Sequence, residues 1–377
     1  MDGKLAVIGL GSIGSMALWQ ASHMTGSVTG FEAQSPAHGR SAVGGDTRLF
    51  RMIYLGTPGL YPILQRSRDL WAELETETGQ DILTRCGGLS IGTAGGSYIS
   101  GLLGTAQLNG ADYEILSRDE LTERYPQHKL RAEDIAVYDP NAGVLRTDRA
   151  VTAAIGAAEA NGATVHINTP IDSITETADG VVVTSGDRTW VFANVIVASG
   201  GWSRRLMPDY LKAHTETRRV FLSWFVARDA ARFAPDRFPV FSRMYEDHAM
   251  YGAPAVDGVT VKATLDGRGT MITNPDQFNR ELSDAETVET LETVSDFIPE
   301  LVPAIVRSDA FPDLYTKDRN PLVGWLGESS RIYCATGFSG GGFKNATGFG
   351  HIAAHEALGN QPIEGLEFVR PERFGTN

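Results

Sequence analysis

The chain opens on a short apolar run, Leu5 to Ile8, with the length and flanks of a buried strand. Three glycines follow, Gly9, Gly11 and Gly14, and Ser15 to Ala21 then reads as a helix. A second strand, Val28-Thr29-Gly30-Phe31, ends at Glu32. Residues 36–58 lose the periodicity and are rich in Gly, Ser and Pro, a loop long enough to be functional or disordered. Arg48 and Arg51 stand three apart within it, so a helical turn there would project both to one side. Leu60, Ile63, Leu64, Leu70, Trp71 and Leu74 mark an amphipathic helix stopped near Gly79. Residues 82–117 alternate short apolar runs with glycines, and Asp119 to Tyr125 reads as helical.

From Thr147 the α/β pattern returns. Ala150 to Ala160 reads as a helix ended by Asn161-Gly162, and Thr164 to Ile167 as a strand. Val181 to Val183 and Trp190 to Phe192 flank Ser185-Gly186-Asp187 as a hairpin, and Val195 to Ala198 is a further buried strand running into Gly200. Residues 216–275 read as an antiparallel sheet, with strands at Val220 to Val226, Met250 to Gly252 and Val259 to Thr264. Ser283 and Glu286 form a capping box ahead of a helix carrying Val288, Leu291, Val294 and Phe297. A strand from Arg331 to Thr336, the glycine-rich Gly337 to Lys344 and a helix from about Asn345 to Leu358 close the pattern. A nucleotide-binding fold therefore returns at the middle and end of the chain, with β-rich segments inserted.

The opening glycines say which nucleotide chemistry this is. At the G-x-G-x-x-G spacing, Gly9 permits a tight turn, Gly11 a close approach to a pyrophosphate, and Gly14 close packing of helix on strand. The helix N-terminus then presents free N–H groups to the phosphates, and Glu32 is placed to accept from a ribose. Composition narrows the partners. A net charge of −13 argues against nucleic acid or an anionic membrane surface, and no apolar run reaches transmembrane length. Cys86 and Cys334 are far apart and give neither a disulfide framework nor a zinc site, which fits a mature cytoplasmic protein. His351 and His355 at i and i+4 lack a third metal ligand nearby, so no metal is expected. His38, in the loop just before the two arginines, is read as a solvated residue, with a proton partner as the alternative.

Taken together, the glycine fingerprint, Gly45-Asp46-Thr47-Arg48 with Arg51, Tyr315-Thr316, and Gly340-Gly341-Gly342-Phe343-Lys344 resemble the monomeric sarcosine oxidase and N-methyltryptophan oxidase family. That family belongs to the FAD-dependent D-amino-acid-oxidase-like amine oxidases, and the similarity runs along nearly the whole chain. It implies an α/β fold in which an FAD-binding Rossmann-like domain (1–85, 145–215, 320–377) is interleaved with an antiparallel-sheet substrate domain (86–144, 216–319). It implies oxidation of a secondary amine to an imine, with O2 reduced to H2O2, by a monomer acting on a small carboxylate-bearing amine.

By the same resemblance, Arg51 and Lys344 hold the substrate carboxylate, Lys262 lies over the flavin where oxygen is reduced, and Arg48 lies along the ring. Tyr251 and Tyr315 line the cavity. The cofactor set comprises Gly9, Gly11, Ser12, Ile13, Gly14, Glu32, Thr47, Arg48, Gly200, Gly340, Gly341, Gly342, Phe343 and Lys344. Three departures stand out. Asp313 occupies the position of the flavin-linking cysteine, which predicts non-covalent FAD; Asp266 replaces a histidine and Ala253 a cavity phenylalanine, which predicts a roomier and more polar cavity.

Competing readings account for less of the chain. Gly337-Phe338-Ser339-Gly340-Gly341 matches a serine-hydrolase elbow but lacks an acid and a histidine in the required order. An NAD-linked dehydrogenase shares only the first motif. A flavin dehydrogenase with a non-oxygen acceptor would have no need of Lys262, and a non-catalytic flavin assembly protein none of the three cations.

Overall fold

In the computed structural model, which describes residues 1–246 and 248–375, strand Gly3–Ile8 lies at the centre of a mostly parallel sheet. It pairs in parallel with Val28–Phe31 on one side and with the end of Arg188–Val197 on the other. Thr164–His166 adds outside Val28–Phe31, and Ile332–Thr336 outside Arg188–Val197, both parallel. From Leu5 to Ile8 the strand is apolar because both its faces are covered there. Leu5 and Val7 enter one core cluster, while Ala6 and Ile8 enter another. Four helices, Ser12–Met24, Leu60–Thr78, Thr147–Ala160 and Ala346–Ala357, contribute buried residues to the cluster that holds Leu5 and Val7. The hairpin around Gly186 is present, with Val181 to Ser185 paired against Arg188 to Phe192. Its second strand continues without a break into the parallel sheet as Arg188–Val197, where the pattern suggested two separate strands.

The second sheet is largely antiparallel. Thr215–Ala227 pairs with Thr260–Leu265 and Leu301–Thr316, and the ladder continues through Ala249–Ala253 and Val240–Met244. Val240–Met244 then pairs in parallel with Gly88–Thr93, which Asp134–Asp139 follows. Helix Asp284–Phe297 carries the expected capping box: Ser283 N–H donates to Glu286 at 2.8 Å, and Glu286 N–H to Ser283 Oγ at 3.3 Å.

Three features differ from the sequence pattern. Strand Leu301–Thr316 escapes notice because Pro303 and Pro312 interrupt it; as an edge strand, paired among the described residues to Thr215–Ala227 alone, it tolerates both. Helix Ser97–Asn109 contains Gly101 and Gly104 and buries only Ile99, Leu102 and Ala106, so its periodicity is weak. The two arginines at 48 and 51 do not share a helical turn. Arg48 lies in strand Thr47–Phe50, paired to Gly143–Arg146 in a small third sheet, and Arg51 follows just past its end. Among the described residues no helix is long and apolar enough to cross a membrane.

Candidate active site

The glycine turn forms a cradle. Gly9 has φ +87°, and a Cβ on Gly14 would lie 1.8 Å from the Gly9 carbonyl oxygen, so helix and strand meet only because that side chain is missing. Helix Ser12–Met24 starts after Gly11 with no side-chain cap, which leaves its first N–H groups for an anion. Ile13 is buried in the core and anchors this turn from behind. Glu32, at the end of Val28–Phe31, accepts from Leu10 N–H (2.9 Å) and Gln34 N–H (3.0 Å). Burial alone would raise its pKa, but these bonds and His38 at 3.5 Å outweigh it and hold the carboxyl below its ordinary value. His38 is thus tucked against Glu32 with a side chain only 15% exposed, not solvated as expected. Gly200 opens a 3-10 turn beside this cradle, with Ser199 directly against Gly9. Such a cradle, an uncapped helix start and a buried carboxylate beyond the second strand fit the two halves of a dinucleotide.

A cavity of about 390 Å³ lies next to the C-terminal glycine loop, lined among others by Arg51, Tyr54, Tyr251, Asp266, Tyr315, Gly340, Gly341 and Lys344. Arg51 and Lys344, from opposite ends of the chain, therefore meet on one cavity. Trp71 Nε1 donates to the Lys344 carbonyl (3.2 Å), and Phe343, stacked on Trp71, is a core residue. The Lys344 Nζ sits 4.0 Å from the Tyr54 ring centroid. Burial and then the Arg51 charge push this ammonium down to about 7, against the opposing pull of Asp266. Burial pushes the Tyr54 hydroxyl up to about 12 and, more strongly still, those of Tyr251 and Tyr315 upward. The arrangement can bind a carboxylate beside phenols that stay protonated.

Lys262, Arg48 and Ala253 are not among the residues lining the cavity. Lys262 Nζ donates to the carbonyls of Gly45 (2.8 Å) and Thr47 (2.7 Å), and lies 5.2 Å from the Trp224 ring centroid. Burial, then the Arg48 charge, lowers its pKa well below the lysine value. Arg48 donates to the carbonyls of Ala42 (2.6 Å), Gly44 (2.8 Å) and Thr47 (2.7 Å). Ala253 stands opposite Lys262 in the ladder and packs with Ala142, Val144 and Val240, so the roomier cavity inferred from it finds no support at that position. Gly342 packs against Phe338. Asp313 accepts from Gly340 N–H (2.9 Å), and burial pushes its carboxyl up to about 6. Cys334 is fully buried in an apolar cluster.

Tyr54, Ser242 and Asp139, which carry no sequence signal, all lie at Arg51, the segment after it or its cavity. Asp139 accepts from Met52 N–H (2.7 Å) and Ile53 N–H (3.2 Å), and Ser242 Oγ accepts from Arg51 at 2.6 Å. Ser339 has the positive φ (+50°) of a nucleophile elbow, but its Oγ accepts from Thr316 N–H (3.1 Å) and no histidine lines the cavity. His351 Nδ1 meets Gln20 Oε1 at 2.8 Å, and among the described residues no three metal-ligating side chains cluster.

A mostly parallel sheet with this cradle, beside a cavity on which the cations Arg51 and Lys344 meet, is the architecture of a dinucleotide-binding protein. The chain belongs to the DAO family of FAD dependent oxidoreductases, whose match spans residues 4–356. It is 28% identical to monomeric sarcosine oxidase from Streptomyces avermitilis, over 98% of this chain and 97% of that one. It is 30% identical to N-methyl-L-tryptophan oxidase from Yersinia pestis (strain Pestoides F), over 94% of each. Among solved structures, NikD, an amino acid oxidase essential for nikkomycin biosynthesis, superposes in its open form with a TM-score of 0.85 at 18% identity, covering 98% of this chain and 97% of that one. The α/β flavoprotein architecture expected from the sequence is therefore the one found, and the cradle at Gly9 to Glu32 fits FAD.

Proposed function

We propose that the protein oxidises the C–N bond of a secondary, N-substituted amino acid to an imine, which water hydrolyses, while O2 is reduced to H2O2. The observation that carries this reading is the meeting of Arg51 and Lys344 on one cavity with Tyr251 and Tyr315. Two cations in a half-buried site neutralise a carboxylate and fix it, so the adjacent C–H bond is held in one orientation. Asp266, on the same wall, offers the amine a hydrogen-bond acceptor. When bound, FAD supplies the two-electron acceptor. Sarcosine and N-methyl-L-tryptophan, named in the relatives, are both N-methyl amino acids, which supports this substrate class.

The interleaved domain division, a cytoplasmic monomer and a flavin held without a covalent bond belong to the same reading. An aspartate in place of a thiol at 313 supports the last, and acid precipitation should leave the flavin in the supernatant. One observation favours a second reading, a dehydrogenase: the Lys262 ammonium is engaged by two backbone carbonyls away from the cavity.

The test is the visible spectrum of the purified protein, then anaerobic bleaching with N-alkyl and primary amino acids. A protein that is colourless and takes up no FAD refutes the proposal. Equal bleaching by amines with and without a carboxylate removes the anion site.

A further inference from the structure

Arg51 is held at both ends. Its backbone leaves strand Thr47–Phe50 into a segment whose next two N–H groups are gripped by the buried Asp139 carboxylate. Its guanidinium meets Ser242 Oγ at 2.6 Å through Nη1, and that same oxygen lies 2.6 Å from the Tyr98 hydroxyl and 3.5 Å from Ser90 Oγ.

These three hydroxyls come together through sheet register. Ser90 and Ser242 are direct partners across strands Gly88–Thr93 and Val240–Met244, and Ser242 is the partner of Tyr251, which lines the cavity. Their neighbours Leu89, Ile91 and Phe241 point to the opposite face and fill an apolar core, so alternation sends the serines toward Arg51. Tyr98 reaches the same point from the first turn of helix Ser97–Asn109. Ser90 and Ser242 are 4% and 7% exposed, and buried hydroxyls are costly unless hydrogen-bonded. One serine hydroxyl has one proton and two acceptor sites. Because Arg51 occupies an acceptor site of Ser242, Tyr98 and Ser90 fix the rotation of that hydroxyl in either direction of donation.

We propose that Tyr98 and Ser242 are positioning residues that set the orientation of Arg51 toward the substrate carboxylate. Ser242 uses one of the five guanidinium N–H groups and leaves the others to the ligand. Tyr98 acts only through Ser242. The inference rests on the anion-site reading above, and the experiment separates the two.

Flavin-loaded wild type, Tyr98→Phe, Ser242→Ala, Ser242→Thr and Arg51→Ala are titrated with acetate and with uncharged acetamide, followed by the change in the flavin spectrum. Ser242→Ala should weaken acetate binding by about tenfold, the scale of one hydrogen bond to a charged group, and Tyr98→Phe by about threefold, the scale of a neutral one. Acetamide binding should be unchanged, and Ser242→Thr should restore acetate affinity. If both variants bind acetate like the wild type while Arg51→Ala does not, the positioning role is wrong and the anion site stands. If acetate and acetamide weaken together, the effect is structural and the proposal falls. If Arg51→Ala leaves acetate binding unchanged, the anion-site reading fails and takes this inference with it.

Discussion

Because Lys344 is half-buried beside Arg51, the affinity for a carboxylate should depend on pH in the neutral range. The perturbation is a pH series from 6 to 9 on the flavin-loaded enzyme, with acetate as the probe. With the Lys344 pKa at about 7, the ammonium is charged at the acid end and neutral at the alkaline end. Acetate affinity should therefore be flat below pH 7 and fall by about tenfold per unit above it, because one proton must be taken up before the anion is fully held. The fall has a floor. Unit charges about 4 Å apart at an effective dielectric of about 20 attract by about 4 kcal/mol, and partial solvent screening reduces this. The loss should level off after about two decades, leaving a site held by Arg51 alone. Lys344→Met should give the alkaline plateau at every pH, and Asp266→Asn should move the break to lower pH, since Asp266 is the charge that favours the protonated form. Stability in the absence of an anion carries its own sign. Between about 7 and the ordinary lysine value of 10.5 the unfolded chain holds a proton that the folded one has lost, so this group makes unfolding harder as pH rises through that window. A break near pH 7 that survives in Lys344→Met would refute the assignment.

Three further outcomes follow from other parts of the structure. Lys262→Met should slow reoxidation of the reduced flavin by oxygen far more than anaerobic reduction by substrate, in stopped-flow absorbance; equal effects would remove the oxygen role. Gly14→Ala places a Cβ 1.8 Å from the Gly9 carbonyl oxygen, and should cost about 1–3 kcal/mol or more with loss of bound flavin, read by denaturant melts and flavin content. Arg243→Met leaves the Asp134 carboxylate without the partner that holds it at 3.0 Å in a fully buried pair, and should destabilise by about 3–5 kcal/mol in the same melts.

What the sequence discloses depends on whether the signal is local. Gly9 to Glu32 is legible because the turn, the helix start and the carboxylate follow one another within a single strand-helix-strand unit, each forced by local geometry. The Ser283 and Glu286 capping box is legible for the same reason. Arg51 and Lys344 are isolated cations on the chain, and only the family resemblance joins them. Ala253 stands off the cavity because position along a strand matters as much as face: it lies two residues beyond Tyr251 on the same side, where the small sheet of Thr47–Phe50 and Gly143–Arg146 comes down on it. Lys262, its cross-strand partner, is covered by the same segment. Ser242 and Tyr98 carry no signal at all, since a serine on a strand acquires a role only from the register of strands far away in sequence.

The order of the parallel strands bears on how the protein is made. The strand that begins the chain is flanked on one side by residues 188–197, and that strand in turn by residues 332–336. During synthesis Gly3–Ile8 can pair early with Val28–Phe31, but its other edge must wait for residues 188–197, and pairings of such long sequence separation form slowly. Lys344 and Asn345 emerge last of the residues on the cavity. Capture of the nucleotide is thus a late event in biogenesis, and a nascent chain stalled before residue 332 would carry an open sheet edge along Val195 to Val197, a surface for chaperones or for aggregation.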